Sequence, residues 1–257
     1  MMLGRMAVRS VAQATAFVNK IIAYEQTPED PDWSTKVLAV AENSDKAGNF
    51  PAISEFVLQS SLPQSYQVER VYLGVTHMTM TTAKATVIAA INNGRYLVNY
   101  IGHAAQTQWS GYDDVPAYSG RFLGNADVDG LTNLGKYPII SAMTCWEGYY
   151  INPQTTYQYE SLAEVITRVE NKGAVASWSP TGASVADGHD IINRAFFDAI
   201  FKVSLSTIGE AAQKSLLDLW ATGTHLQLVD TFLLFGDPAL LNQHVKDLKN
   251  YLPIIQK

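Results

Sequence analysis

Apolar residues recur along this chain with two different periods. Between Ser10 and Tyr24, Val11, Ala14, Phe17, Val18, Ile21 and Ile22 fall three or four positions apart, the spacing of one helical face. Ser10 offers the side-chain oxygen that an N-cap needs. A polar, proline-bearing loop from Thr27 to Trp33 follows. Lys36 to Ala41 then reads KVLAVA, an unbroken apolar run of the kind a strand buried on both faces shows. Pro51 opens a second helix, where its missing N–H costs nothing. Tyr66 to Leu73 carries the β-branched and aromatic residues of a strand. Thr81 is the expected cap of a helix from Thr82 to Asn93 that Gly94 ends. Further strands are expected at Tyr96 to Ile101, within Lys136 to Thr144, at Gly173 to Trp178 and at Thr231 to Phe235. Helices are expected at Glu160 to Val169, Gly188 to Phe201 and Thr207 to Trp220.

Strands that alternate with helices imply βαβ units, hence a largely parallel sheet with helices on both faces. No linker interrupts the pattern, so residues 1–257 read as one α/β domain. In such sheets ligands bind just beyond the carboxyl ends of the strands. Gly102-His103-Ala104 follows YLVNYI, and Cys145 follows PIISAMT. A histidine and the sole cysteine therefore both fall at strand ends. A thiolate is the attacking form of cysteine, and an imidazole can take its proton and later return it to a leaving amine. The tetrahedral intermediate also needs N–H donors, for which the amides of Cys145 and Ala104 are the candidates. Gly102 and Gly148 flank the pair and allow sharp turns.

Composition narrows the alternatives. The net charge of −6 comes without a basic block, which speaks against nucleic-acid binding. The longest apolar runs, such as Leu228 to Phe235, are too short to span a bilayer. A single cysteine excludes an internal disulfide and a cysteine-rich zinc site. His77, His189, His225 and His244 show no metal-ligand spacing, and neither a phosphate-binding glycine loop nor a GxSxG elbow occurs. The opening MMLGRMAVRS lacks the apolar core and cleavage site of a secretion signal.

Four segments occur in order: LVNYIGHAAQTQWSG (97–111), LTNLGKYPIISAMTCWEGYY (131–150), SLAEVITR (161–168) and TFLLFGDPAL (231–240). Together they resemble the gingipain-type cysteine peptidases. LGRMAVRS (3–10) is similar to the segment that opens the catalytic subdomain of that family. The resemblance implies a caspase-like, three-layer α/β/α sandwich that cleaves peptide bonds through a cysteine–histidine dyad and a thioacyl-enzyme. Cys145 would be the nucleophile and His103 its partner. Glu42, directly after KVLAVA, stands where the family's assisting carboxylate would be, with Asp45 as the fallback. Substrate would be a peptide or protein. No cofactor is required, although structural calcium is implied, with Asp113-Asp114 and Asp127 to Asp129 as candidate ligands. The family also implies an exported protein, extracellular or at the cell surface. The lack of the subdomain that precedes LGRMAVRS in gingipains suggests a fragment of a longer protein.

By position, the loop after GAVASW should line the substrate pocket, which singles out Ser179, Thr181 and Gly182, with Trp178 and Trp109 as walls. An acid for basic substrates is not evident: Asn49 occupies the loop where it is first sought, and Asp187 is the alternative. One position departs from the family pattern. Ala104 stands where glycine usually follows the histidine, and alanine resists positive φ. A degenerate caspase-like module with a binding or structural role is therefore a second reading. A transpeptidase, using the same acyl-enzyme, is a third.

Overall fold

The computed structural model describes residues 1–26, 32–111, 113–152, 159–184 and 186–245. Most of the proline-bearing loop expected at Thr27 to Trp33 lies outside these residues. A two-residue strand, β1 (Gly4–Arg5), precedes helix α1 (Val11–Glu25). Ser10 caps α1 as expected, its side chain accepting from the Gln13 amide. Strand β2 (Lys36–Ala41) leads to α2 (Phe50–Ser61), with Pro51 in the first turn and the Asn49 side chain as cap. After β3 (Gln67–Tyr72) comes α3 (Met80–Asn92). Its cap is Thr79, not Thr81: the earlier start turns Met80 into the core, and the Thr79 hydroxyl accepts from the Thr82 amide. Strand β4 (Leu97–Ile101) is followed by β5 (Ala104–Ala105), β6 (Gln108–Trp109), β7 (Leu123–Gly124) and the short helix α4 (Asn125–Val128). Then come β8 (Ile139–Met143), α5 (Leu162–Arg168), β9 (Ala176–Pro180), α6 (His189–Phe201), α7 (Ile208–Ala221), α8 (Leu226–Thr231) and β10 (Phe232–Phe235).

Seven strands form the main sheet in the order β1-β10-β9-β8-β4-β2-β3. All neighbouring pairs are parallel except β10 with β9. Alternate residues along each strand enter two separate cores, as the period of two requires. Val37, Ala39, Leu97 and Ile139 face Phe17 of α1, Val57 of α2, Phe196 of α6 and Leu219 of α7. Leu38, Val40, Val98 and Ile140 face Val87 of α3, Val165 of α5 and the second, three-stranded sheet β5-β6-β7. Helices on both faces make this the expected three-layer α/β/α sandwich. The small sheet and α4 escaped the periodicity because elements of two to four residues are too short to show one. Among the described residues no helix is long and apolar enough to cross a membrane.

Two buried polar groupings lie under the carboxyl edge of the sheet. Asn193 of α6 donates to the Asn99 side chain of β4 at 3.0 Å and accepts from the Ser141 hydroxyl of β8 at 3.0 Å. This amide ties α6 to the two central strands, where an unpaired polar group would be costly. Glu147, in the turn after β8, is 0% exposed. Trp109 and Ser179 lie beside its carboxyl, but neither makes a well-formed hydrogen bond to it. Burial pushes this carboxyl up to about 7, against a smaller pull from those two side chains.

A raised carboxyl value has a definite consequence for stability. Between about 4.5 and 7 the folded chain holds a proton that the unfolded chain has released. The contribution of Glu147 is therefore full below pH 4.5 and is lost as pH rises through 7, about 3 kcal/mol in all. Glu147→Gln should remove this slope. Urea unfolding should find the variant level with the parent near pH 4.5 and more stable by roughly 2–3 kcal/mol at pH 8. Equal stability of the two at pH 8 would contradict it.

Candidate active site

Strands β2, β4 and β8 end level with one another. Ala41 pairs with Ile101, and Ile101 with Met143. The ladder continues past the strand ends: the Glu42 amide donates to the Ile101 carbonyl at 3.1 Å, and the Gly102 amide to the Met143 carbonyl at 3.2 Å. Glu42, His103 and Cys145 thus leave three adjacent strands at one edge. His103 and Cys145 border a single cleft of about 400 Å³, whose walls include Phe50, Gly102, Ser184 and His189.

His103 is fixed from three directions. Its ring Nε2 lies 2.8 Å from an Asp45 carboxylate oxygen. The Phe50 ring meets it edge-on, with centroids 5.4 Å apart. Its main chain is held by the Glu42 carboxylate, which accepts from the His103 amide, and by the Tyr100 hydroxyl, which donates to the His103 carbonyl. The carboxylate at the ring is therefore Asp45, the fallback, and not Glu42. Asp45 contacts the ring, whereas Glu42, one residue past β2, is too close to the backbone to do so. Gly102 makes this approach feasible. A Cβ there would stand 2.7 Å from the Glu42 carboxylate and 2.9 Å from the Tyr100 hydroxyl. Burial pushes the Glu42 carboxyl up, opposed by the Ser110 hydroxyl and the His103 amide. Desolvation pushes Asp45 up too, but hydrogen bonds from the His103 ring and the Ala47 and Gly48 amides outweigh it, so its carboxyl sits below the usual range.

The cysteine turn is held against the exit of β9. Trp146 takes a left-handed φ of 59°, uncommon for a bulky residue. Its amide donates to the Gly182 carbonyl at 3.0 Å, and the Gly148 amide to the Pro180 carbonyl at 2.8 Å. The Cys145 thiol donates to the Ser184 carbonyl at 3.1 Å. Among the described residues the Cys145 amide has no acceptor, whereas the amides of Gly102 and His103 are already bound.

Other expectations change. Ala104 begins β5, pairs with Trp109 and is not at positive φ, so its methyl group carries no backbone strain. It borders a neighbouring hollow with Glu42 and Ser110 and does not line the cleft beside Cys145. The five residues assigned to the substrate pocket do not line that cleft either. Strand β9 runs two residues farther than its apolar segment suggested, so Trp178 sits inside the strand and packs on Phe196 and Phe232. Trp109 is fully buried and stacks on Tyr100 at 4.6 Å. Ser179 is buried with its hydroxyl 2.7 Å from that of Ser177. Thr181 is tied to the Thr231 carbonyl, and Gly182 to Trp146. The wall is instead supplied by Ser184, Asp187 and His189. Asn49 is the cap of α2. Phe50, Ser184 and His189 carried no local signal, because their proximity to Cys145 arises from loop paths alone. For the candidate calcium ligands, Asp127 is paired with Lys84 and Arg121, and Asp113 accepts from Asn43 and from the Val115 amide. Among the described residues no group of three or more histidine, cysteine or acidic side chains is arranged to hold a metal ion.

Comparison with known proteins agrees with this architecture. Residues 1–242 match peptidase family C25. Lys-gingipain W83 of Porphyromonas gingivalis is 27% identical over 173 residues, which are 67% of this chain and 9% of that protein. Gingipain R2 of Porphyromonas gingivalis (strain ATCC BAA-308 / W83) is 24% identical over 263 residues, covering 93% of this chain and 32% of that protein. The crystal structure of the Arg-specific cysteine proteinase gingipain R superposes with a TM-score of 0.73 at 22% identity, over 94% of this chain and 55% of that one. The chain thus spans a third or less of the curated relatives it matches. The extent of the family match, on a fold shared with gingipain R, shows that the chain belongs to peptidase family C25, the family of the gingipains.

Proposed function

We propose that this domain is a cysteine endopeptidase in which Cys145 attacks the scissile carbonyl and His103 transfers the protons. The observation that carries the reading is the single cleft bordered by both side chains at the level ends of β4 and β8. Nε2 of His103 is engaged by Asp45, which leaves Nδ1 for the transfer. Nδ1 takes the thiol proton, and a sulfur lone pair forms the bond to the carbonyl carbon. The carbonyl π pair moves onto oxygen, where the Cys145 amide is the donor left to stabilise it. Collapse expels the amine, which receives the proton from Nδ1, and leaves a thioester on Cys145. Water then gives a proton to Nδ1, attacks the thioester, and releases the acid and the thiol. The reaction uses no metal or cofactor, and the substrate is a segment of peptide or protein.

The carboxylates divide the supporting work. Asp45 orients the ring and stabilises the imidazolium, as the third member of such a constellation does. Glu42 fixes the main chain that carries the ring. The geometry at Ala104 gives no support to a degenerate module, since the alanine is not forced into a glycine conformation.

Cys145→Ala should abolish cleavage of a denatured protein substrate, and His103→Ala should lower kcat by about 10²–10⁴-fold. Full cleavage by Cys145→Ala would overturn the reading. Asp45→Asn should lower kcat by about 10–100-fold at little cost in melting temperature, the side chain being surface-placed. Glu42→Gln should act on stability as well as on rate. Parental kcat in Asp45→Asn would remove that residue from the reaction.

A further inference from the structure

The polar neighbours of the Cys145 thiol among the described residues lie on the side of the cleft formed by the segment that joins β9 to α6. Ser184 reaches both residues of the turn. Its carbonyl accepts from the Cys145 thiol at 3.1 Å, and its hydroxyl donates to the Thr144 carbonyl at 2.6 Å. The same hydroxyl oxygen lies 2.9 Å from Nε2 of His189 and 3.7 Å from Cys145 Sγ. His189, the first residue of α6, is 4% exposed and lines the cleft. A hydroxyl has one hydrogen to give. Because Ser184 gives it to Thr144, the contact with His189 must run the other way, with Nε2–H as donor. Either charge state of the imidazole can donate from Nε2, and its surroundings select the neutral one. Burial, with a smaller contribution from the neighbouring His225, pulls His189 down to about 4.

We infer that Ser184 and His189 form a donor chain that stabilises the ionised sulfur of Cys145 and so positions the nucleophile of the proposed peptidase. While the sulfur is a thiol, it donates to the Ser184 carbonyl and the hydroxyl rests on Thr144. Once the proton has left for His103, sulfur and carbonyl are both acceptors and repel. The only other polar atom bonded to sulfur among the described residues is the Ser184 hydroxyl. Rotation about its Cβ–Oγ bond turns the hydrogen from the Thr144 carbonyl to the sulfur, with no movement of heavy atoms beyond a few tenths of an ångström. The Nε2–H of His189 stays on the hydroxyl oxygen throughout and strengthens it as a donor, as linked hydrogen bonds do. Lys46, Asp187 and His103 are the charged or titratable groups that share the cleft with this chain. Of these only His103 belongs to the proposed dyad, on the opposite wall. Ser184 and His189 are thus positioning residues: neither bonds to substrate, and both act through sulfur.

The inference rests on the peptidase reading but is tested on the thiol itself. The experiment is the rate of Cys145 alkylation by iodoacetamide from pH 5 to 10, on the full chain, in parent, Ser184→Ala, His189→Leu, His189→Gln and His103→Ala proteins. Each variant's melting temperature is recorded alongside. Ser184→Ala should move the midpoint of the rate profile up by about one pH unit, a tenfold loss of reactive sulfur below it. His189→Leu should move it part of the way. His189→Gln, whose side-chain amide offers an N–H near the place of Nε2–H, should return it towards the parent value. A Ser184→Ala profile within about 0.2 pH units of the parent, in a protein that melts normally, would overturn the proposal. So would a His189→Gln profile as displaced as that of His189→Leu, and this pair decides the matter if Ser184→Ala fails to fold. A profile that responds to Ser184 and not to His103 would uphold the donor chain and reject the dyad. The reverse would uphold the dyad and reject the chain.

Discussion

The parallel register of β2, β4 and β8 is the constraint from which the site follows. Backbone hydrogen bonding between these strands places Ala41, Ile101 and Met143 side by side and carries on through the amides of Glu42 and Gly102. A slip of one residue in either pairing would turn the strand's apolar residues to the wrong core. Both faces of these strands are packed, so the register is held by two cores at once. The side chains at the sheet edge inherit that precision. His103 and Cys145 reach one cleft without a dedicated scaffold, because the central strands that carry them end level with one another.

Around that edge the chain places polar groups where water does not reach. Asn193 joins α6 to β4 and β8, and α6 begins at His189 in the cleft wall. The Glu42 carboxylate is bound to the His103 amide in a space that only glycine at position 102 leaves open. Glu147 brings a carboxyl into a site with poor hydrogen-bonding partners. Such groups are costly singly and fix geometry when satisfied. The bonded groups here hold the histidine and the helix, although the Asn99 side-chain nitrogen has no partner among the described residues, while Glu147 sits in the cysteine turn at the expense of stability at neutral pH.

The elements nearest the cleft were the least visible in the sequence. The α6 pattern located His189 at the start of a helix but said nothing of what lay opposite it. Trp178 read as a strand-end residue because its apolar segment stopped there, yet β9 runs on through Ser179 and Pro180 by pairing with β10. A serine and a proline were thereby drawn into the sheet and a tryptophan into the core. Asp45 and Glu42 were both legible as carboxylates after β2. Which one met the ring depended on a loop that turns back through the Asp45–Gly48 hydrogen bonds.

Hydrophobic periodicity by itself determined the parallel α/β architecture, the boundaries of the central strands to within a residue or two, and the strand-end positions of His103 and Cys145. Those features are local: a strand's two faces and a helix's one are written in consecutive residues. The tertiary structure alone decided which strands are neighbours, which carboxylate meets the imidazole, and which side chains wall the cleft. Each of these depends on contacts between residues far apart in the chain, as between Thr144 and Ser184. Their geometry is set by how the layers pack and where the loops return, and no spacing along the chain encodes it.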